Sequence, residues 1–273
     1  MLGVSALAAL WATGAVAQAD SAPVVRFRAE QRAVATVPPL PPTSTFPVQL
    51  VLDDDSFEGT LGVASGQNAK QFLFFERFGP VPGFTLQEVW ILFPGDAPVG
   101  GAIEIVVFED SDGDPSNGAT LRAAFATTVS ANDGNTFSVY PLPAPLAFDS
   151  GREVLIGAVP RFIQSGVTPF LFPAAIDGTA SQGRSWLAVW LGDPPDPPLL
   201  PADQITAPLD DFQPGNWMIR GFGTGVSPLE VPALGPAGLA ALAALLAAGG
   251  LALLRRRDGA RIAMGKHDGG GLE

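Results

Sequence analysis

The stretch that decides the fold reads AIEIVVF (102–108), EDSDGDPSNGAT (109–120) and LRAAFATTV (121–129). The two outer pieces are rich in β-branched and aromatic residues, which favour strands. The Asp-Gly and Asn-Gly pairs between them favour tight turns, because glycine and asparagine tolerate positive φ. The stretch therefore predicts a β-hairpin.

The rest of residues 47–225 repeats this pattern of short apolar runs separated by glycine, proline, aspartate or asparagine, without a sustained helical period. Besides the two hairpin strands, the runs predict strands at residues 48–52, 71–78, 87–93, 136–142, 153–159, 170–176, 185–191 and 216–222. Strands at this spacing, with no helices to carry parallel crossovers, favour two packed antiparallel sheets. The predicted fold class is all-β, an antiparallel β-sandwich, jelly-roll-like, over residues 47–225.

The N-terminal end predicts export. Residues 2–16 are an apolar run, and the small residues Ala15, Ala17 and Ala19 follow at the spacing that signal peptidase prefers. We expect a signal peptide over residues 1–19, removed by signal peptidase as the chain leaves the export translocon. Residues 20–46 are rich in alanine, valine and proline, and are predicted to form an extended spacer.

The C-terminal end predicts a membrane anchor. Residues 234–254 carry no charge, and as a helix they would rise about 32 Å, enough to cross a hydrocarbon core of roughly 30 Å. Arg255, Arg256 and Arg257 follow directly and, by the positive-inside tendency, stay in the cytoplasm. We therefore expect a linker at residues 226–233, a transmembrane helix at 234–254 and a basic cytoplasmic tail at 255–273, with the β domain outside the cytoplasm.

The order of these C-terminal elements carries a family resemblance. VPALGPAGL at residues 231–239, the apolar helix and the arginine cluster together resemble the IPTL-type C-terminal sorting signals of Gram-negative bacteria, relatives of the PEP-type signals. In that family an exosortase, a membrane-embedded cysteine peptidase, is thought to read and cleave the signal near its proline motif. The resemblance implies that Val231, Pro232, Ala233 and Leu234 form the recognition motif and that an exosortase-type peptidase is a partner. An ordinary tail anchor is the alternative.

Three short stretches of the β domain are similar to an uncharacterised secreted bacterial β-sandwich found in surface proteins and appended to exported enzymes. They are DGDPSNGAT at residues 112–120, QGRSW at 182–186 and GNWMIRG at 215–221. No activity attaches to this resemblance. It implies the fold and an accessory role.

Composition excludes several kinds of chemistry. The chain has no cysteine, and its single histidine, His267, lies in the predicted cytoplasmic tail. Ser-His-Asp and Cys-His catalysis, and zinc sites with histidine or thiolate ligands, are therefore excluded from the predicted ectodomain. The net charge of −12 opposes binding to phosphate backbones, which depends on lysine and arginine, so nucleic acid is not an expected partner.

The acidic turn of the hairpin is the one candidate cofactor site. Asp110, Asp112, Asp114 and Asn117 place oxygen atoms at a spacing that imitates the start of an EF-hand loop, which predicts a calcium ion. A plain hairpin turn explains the same residues, since aspartate, asparagine and glycine favour turns through their backbone. A second acidic cluster, residues 53–55, ends the first predicted strand and raises the same two alternatives.

Two tryptophans are the candidate ligand platform. Trp186 and Trp190 are four residues apart on a predicted strand, so their side chains point to the same face and could stack on a glycan. Leu187, Val189 and Leu191 make the opposite face apolar as well, which a strand buried on both sides explains without any ligand.

These observations predict an exported, surface-displayed or matrix protein that is not an enzyme. A carbohydrate-binding module, with or without calcium, is the first alternative. The second is a carboxylate-based glycoside hydrolase, which needs two carboxyls about 5 to 10 Å apart. No motif selects a pair among the candidate glutamates, which are Glu58, Glu76, Glu88, Glu104, Glu109 and Glu153.

Overall fold

Each strand that the sequence predicts overlaps a strand of the structure. The computed structural model describes residues 22–29, 46–149 and 151–225. In these ranges the chain forms 15 strands and two short 3-10 helices, with no α-helix. The strands are β1 (Val24–Ala29), β2 (Val48–Leu50), β3 (Gly59–Ser65), β4 (Asn68–Ala69), β5 (Leu73–Phe78), β6 (Phe84–Leu92), β7 (Ala102–Asp110), β8 (Thr120–Thr128), β9 (Phe137–Phe148), β10 (Glu153–Val159), β11 (Ala174–Asp177), β12 (Ser185–Val189), β13 (Ile205–Pro208), β14 (Asn216–Trp217) and β15 (Ile219–Thr224). The 3-10 helices are Pro115–Asn117 and Leu209–Asp211.

Within the described ranges the strands form three sheets, and each pairing is antiparallel. The first sheet has the order β1-β3-β11-β14, with β4 also paired to β3. The second has the order β13-β12-β5-β10-β7-β8, and the third β2-β15-β6-β9. The all-β antiparallel fold class is confirmed, and the arrangement is consistent with a β-sandwich. Its jelly-roll-like connectivity stays a prediction.

The predicted hairpin is present. Strands β7 and β8 pair in antiparallel register from Ala102 opposite Thr128 to Glu109 opposite Thr120. Strand β8 is the last strand of its sheet, and its residues alternate between exposed and half-buried along the whole length. Strand β7 is buried almost throughout, because a neighbour pairs with it on each side.

The main hydrophobic core takes side chains from all three sheets. Phe74 on β5 is one of its largest members, with its ring centroid 5.8 Å from that of Phe72 and 5.4 Å from that of Trp217. All three side chains are at most 1% exposed. Full burial of side chains of this kind stabilises a fold by roughly 1.5–3 kcal/mol each, so this cluster joins β5 firmly to β14.

Four strands lie where none was predicted, namely β1, β3 and the short strands β4 and β13. Strand β1 lies inside residues 20–46, so the predicted spacer is wrong for residues 24–29, whose sequence VVRFRA has the β-branched and aromatic residues that suit a strand. Strand β3 was not predicted because it contains Gly59 and Gly62, and glycine inside a strand usually signals a break or a close approach. Here it is a close approach, since a Cβ at Gly62 would lie 2.0 Å from the carbonyl oxygen of Leu171.

The predicted signal peptide at residues 1–19, linker at 226–233, span at 234–254 and tail at 255–273 lie outside the described residues and stay predictions. The described residues all belong to the first of two units of the chain, whose boundary falls between Ser227 and Pro228. Among them there is no helix long and apolar enough to cross a membrane.

Candidate functional site

The structure brings the four predicted calcium ligands together in one turn after strand β7. The backbone N–H of Asp112 donates to Asp110 Oδ1 at 3.4 Å, and that of Asp114 donates to Asp112 Oδ1 at 3.1 Å. The N–H of Ser116 donates to Asp114 Oδ1 at 3.0 Å, and Asn117 Nδ2 donates to Asp112 Oδ2 at 2.8 Å. Each aspartate therefore accepts from the residue two positions on, which is the hydrogen bonding of an Asx turn.

The electrostatics of this turn differ from one aspartate to the next. Asp110 is 1% exposed, and burial raises the pKa of its carboxyl, whose Oδ2 has no hydrogen-bond partner in the structure. Asp112 is exposed, and the hydrogen bond from Asn117 lowers its pKa. Among the described residues no group of three or more histidine, cysteine, aspartate or glutamate side chains is arranged to hold a metal ion.

An arginine supplies positive charge beside the turn. The guanidinium of Arg77 donates to the carbonyl oxygen of Gly113 and lies 3.3 Å from Glu153 Oε2. A Cβ at Gly113 would lie 2.7 Å from Arg77 Nη1, and Gly113 has a φ of +80°, so both its backbone conformation and its close contact favour glycine. Hydrogen bonds within the turn and Arg77 beside it account for the local structure without an ion.

The second acidic cluster, residues 53–55, forms a buried ion pair. Arg220 on β15 donates to both carboxylate oxygens of Asp53, with Nε 3.0 Å from Oδ2, and to Asp55. The Arg220 side chain is 4% exposed, and its guanidinium carbon lies 4.3 Å from the centre of the Phe137 ring. The cluster therefore links the segment after β2 to β15 of the third sheet. Removing either partner of this buried pair would leave an uncompensated charge, so the link is expected to matter for stability.

Glu76 is a buried carboxyl that the sequence analysis did not single out as structural. Its Oε1 accepts hydrogen bonds from Ser185 Oγ at 2.6 Å and from the backbone N–H of Trp217, whereas its Oε2 is buried without a partner. Burial raises the pKa of Glu76 well above its usual value, and the charges of Asp53 and Asp177 raise it further. Its position among the apolar residues of the strand LFFERF was the one local sign that this glutamate is buried.

The other candidate glutamates also have partners within the fold. Glu104 pairs with Arg161, whose Nε lies 3.0 Å from its Oε2, and Glu109 pairs with Arg122. Glu88 accepts from Trp90 Nε1 at 3.1 Å, and Glu58 accepts from the N–H of Gly178 at 2.9 Å. Glu153 forms ion pairs with Arg77 at 3.3 Å and Arg184 at 3.7 Å. Each of the six thus has a contact that serves the structure.

Trp186 and Trp190 lie in a second core cluster on the second sheet, and they are 8% and 6% exposed. Leu200 belongs to the same cluster, and Ala202 packs against it. Residues 191–202, which we call the proline-rich cover, therefore contribute Leu200 and Ala202 to the cluster that contains the two rings. Neither ring is open to solvent, as a stacking platform for a glycan has to be.

Two cations hold the proline-rich cover in place. Lys70 Nζ donates to the carbonyl oxygens of Leu191 at 2.8 Å and Gly192 at 3.0 Å. Arg161 donates to the carbonyl oxygens of Pro194 at 2.7 Å and Pro195 at 2.5 Å. Because these donors reach backbone carbonyls that are distant in the chain, no local sequence pattern predicts the contacts.

The predicted sorting motif, Val231 to Leu234, and the basic residues Arg255 to Arg257 lie outside the described residues. The candidate site with the greatest bearing on function is therefore known from its sequence alone. Inside the described residues, the candidate sites are occupied by contacts that stabilise the fold.

No family model and no curated protein matches the chain. Among solved structures, the chain is similar to one described as the cysteine protease and lectin-like domains of Cwp84, a surface layer associated protein of Clostridium difficile, with 14% sequence identity and a TM-score of 0.40. The match covers 61% of this chain and 34% of that one, so the chain spans about a third of the length of that structure. A similarity of this size assigns neither a fold family nor an activity.

Proposed function

We propose that the chain is an exported, non-enzymatic protein of a Gram-negative bacterium, displayed at the cell surface or in the matrix and processed through a C-terminal sorting signal. The observation that carries the proposal is the order of three elements: the proline motif at residues 231–234, the uncharged stretch to residue 254, and Arg255 to Arg257. An uncharged stretch of this length halts a translocating chain, and the basic flank fixes its orientation. An exosortase-type peptidase then finds its motif at the outer end of the span.

The contacts of the ectodomain support a non-enzymatic role. A carboxylate-based hydrolase needs two carboxyls facing a substrate, one of them free to transfer a proton. Glu76 is fully buried, and Glu104, Glu109 and Glu153 each pair with arginine. These four glutamates therefore serve the internal structure of the domain.

The proposal also requires a cleaved signal peptide, because display begins with export through the translocon. The small residues at 15, 17 and 19 favour signal peptidase cleavage after Ala19. Mass spectrometry of the mature chain is expected to find an N-terminus at Asp20. A membrane-bound form that begins at Met1 contradicts this step.

The sorting motif is tested by changing Val231 and Pro232 to alanine. Neither residue lies in the predicted span, so insertion is expected to be unchanged, whereas processing is expected to stop and the full-length chain to accumulate in the membrane. The matched control changes Val226 and Pro228 to alanine, the same residue types just before the motif, and is expected to be processed normally. Normal processing of the Val231 and Pro232 variant rules out this motif as the recognition element.

A further inference from the structure

Strand β1 occupies an edge of the first sheet that no other described strand contacts. It pairs in antiparallel register with β3 at each of its six residues, from Val24 opposite Ala64 to Ala29 opposite Gly59. On its other edge β3 pairs with β11 and β4. Removing β1 would therefore uncover one whole edge of β3, with its backbone donors and acceptors.

The surface that receives β1, which we call its seat, consists of the edge of β3 together with Asp96, Phe170 and Phe172. Its side chains make contacts that are specific to this strand. The guanidinium carbon of Arg26 lies 4.9 Å from the ring centre of Phe170, and that of Arg28 lies 4.5 Å from the ring centre of Phe172. Arg28 Nη1 also pairs with Asp96 Oδ2 at 3.2 Å. A seat with two cation–π contacts and an ion pair in fixed register selects the strand that carries both arginines.

A glycine shapes the seat for Phe27. A Cβ at Gly59 would lie 2.3 Å from the Phe27 ring, so the ring rests where any other residue would place its side chain. The strand itself buries little, because Val24 is 50% exposed and Phe27 is 38% exposed. A strand with so few buried apolar groups is released at low cost, whereas its seat remains specific for it.

The connection between β1 and β2 is long enough for another arrangement. Residues 30–47 join Ala29 to Val48, and a chain of that length spans up to about 60 Å when extended. Within one molecule the strand meets its own seat at an effective concentration in the millimolar range. Seats on neighbouring molecules reach comparable concentrations where a protein is displayed densely.

We propose that β1 also pairs with β3 of a second copy of this chain, so that neighbouring ectodomains are joined by exchange of residues 24–29. The partner is a second copy because each contact that holds β1 is made by residues of this same chain, and a second copy reproduces all of them. Exchange of an identical element is an economical route to association, since it needs no new interface. The contacts that carry the inference lie between residues 24 and 172, whereas the high concentration of neighbouring copies rests on the display proposed above.

The chain contains no cysteine, which makes introduced cysteines specific reporters of this pairing. Val25 lies opposite Val63, and opposing residues of an antiparallel pair are within disulfide range. Two full-length chains with different tags, one with Val25→Cys and the other with Val63→Cys, are co-expressed and exported, and mixed dimers are detected on non-reducing gels. A mixed dimer is expected, whereas Val25→Cys with Val167→Cys, an exposed residue outside β3, is expected to give none.

The direction of exchange is tested with Gly59→Val. In the chain that carries Val63→Cys it blocks the receiving seat, so loss of the mixed dimer is expected. In the chain that carries Val25→Cys it frees the donor strand from its own seat, so the dimer is expected to persist or increase. Gly192→Ala, at a glycine with no atom within 4 Å of the added Cβ, is the control and is expected to change nothing.

Exchange is overturned if the chain carrying both Val25→Cys and Val63→Cys closes an internal disulfide while the two single variants form no mixed dimer. That result shows the predicted register within one molecule only. A mixed dimer that forms equally with Val167→Cys, or that is unaffected by Gly59→Val in the receiving chain, also overturns it, since random collision explains both.

Discussion

At the scale of single residues, the protonation of Glu76 makes one contribution to how the stability of the domain depends on pH. Burial raises the pKa of this carboxyl well above its usual value, and the hydrogen bonds from Ser185 and Trp217 only partly oppose that effect. At a pH below the pKa of the unfolded chain, both states are protonated and the carboxyl imposes no ionisation cost. As the pH rises toward the higher pKa of the folded state, the unfolded state ionises first and stability falls.

Glu76→Gln is therefore expected to remove part of this pH dependence. The glutamine keeps an oxygen to accept from Ser185 and Trp217, but it does not ionise. The free energy of unfolding of the native protein should fall as pH rises above about 4.5, by about 1.4 kcal/mol for each unit between the two pKa values, and that of the variant should fall less. Chemical denaturation across this pH range measures both, and parallel pH profiles contradict a neutral buried Glu76.

The two tryptophans of the second core cluster give a direct test of packing. Because Trp186 and Trp190 are nearly fully buried, replacing either with alanine is expected to cost about 3–5 kcal/mol of unfolding free energy. Leu191→Ala, at a residue that is 64% exposed, is the matched control and is expected to change stability by less than about 0.5 kcal/mol. A soluble double tryptophan variant with a normal denaturation curve contradicts the core assignment.

The sequence was enough to single out candidate residues at these sites, but it was not enough to predict what those residues contact. Alternation placed Trp186 and Trp190 on one face, but the cluster that buries them includes residues distant in the chain, such as Leu200 of the proline-rich cover. Lys70 and Arg161 hold that cover through backbone carbonyls. Contacts between side chains and distant backbone carbonyls leave no local pattern in a sequence. The same limit applies to Glu76, whose partners on β12 and β14 are distant along the chain.

At the scale of elements, local chemistry was enough to predict the hairpin of β7 and β8 but not strands β1 and β3. The hairpin has β-branched strands and a turn rich in aspartate and glycine, all within 30 residues of chain, roughly the range over which such signals act. Strand β1 is stabilised by β3 and by Phe170 and Phe172, which are remote in sequence. Strand β3 contains glycines because other chain segments approach it closely, which propensity alone cannot anticipate.

The acidic residues of the turn between β7 and β8 have two explanations, a calcium site and a plain hairpin turn. The melting temperature with and without calcium distinguishes them. Calcium bound to the folded state raises the melting temperature as its concentration passes the dissociation constant. Because the aspartates already accept from the backbone N–H groups of the turn, we expect the same melting temperature in millimolar calcium and in chelator. Changing Asp112 and Asp114 to alanine should lower the melting temperature in both conditions, since two acceptors are lost.

The opposite result identifies a calcium site. If calcium raises the melting temperature of the native protein and the Asp112 and Asp114 variant does not respond, the turn binds the ion. Asp110 Oδ2, which is buried and has no hydrogen-bond partner, is then the turn oxygen whose lone pairs are free to bind the ion.

At the scale of the whole molecule, an acidic β domain precedes an uncharged stretch that is followed by a basic cluster. The chain carries 27 acidic and 15 basic residues, and its three consecutive arginines follow the uncharged stretch at residues 234–254. Under the proposed function, the acidic residues favour solubility of the domain and the three arginines are expected to fix the orientation of the chain in a membrane. Changing Arg255, Arg256 and Arg257 to glutamate is expected to weaken membrane retention or to disturb orientation.

The most direct test of sorting compares the size of the surface-exposed protein in cells with and without the exosortase. Processing near Val231 to Leu234 predicts a shorter surface form when the peptidase is present and the full-length, membrane-held chain when it is absent. Protein of identical full length in both cells contradicts the account and indicates an ordinary tail anchor.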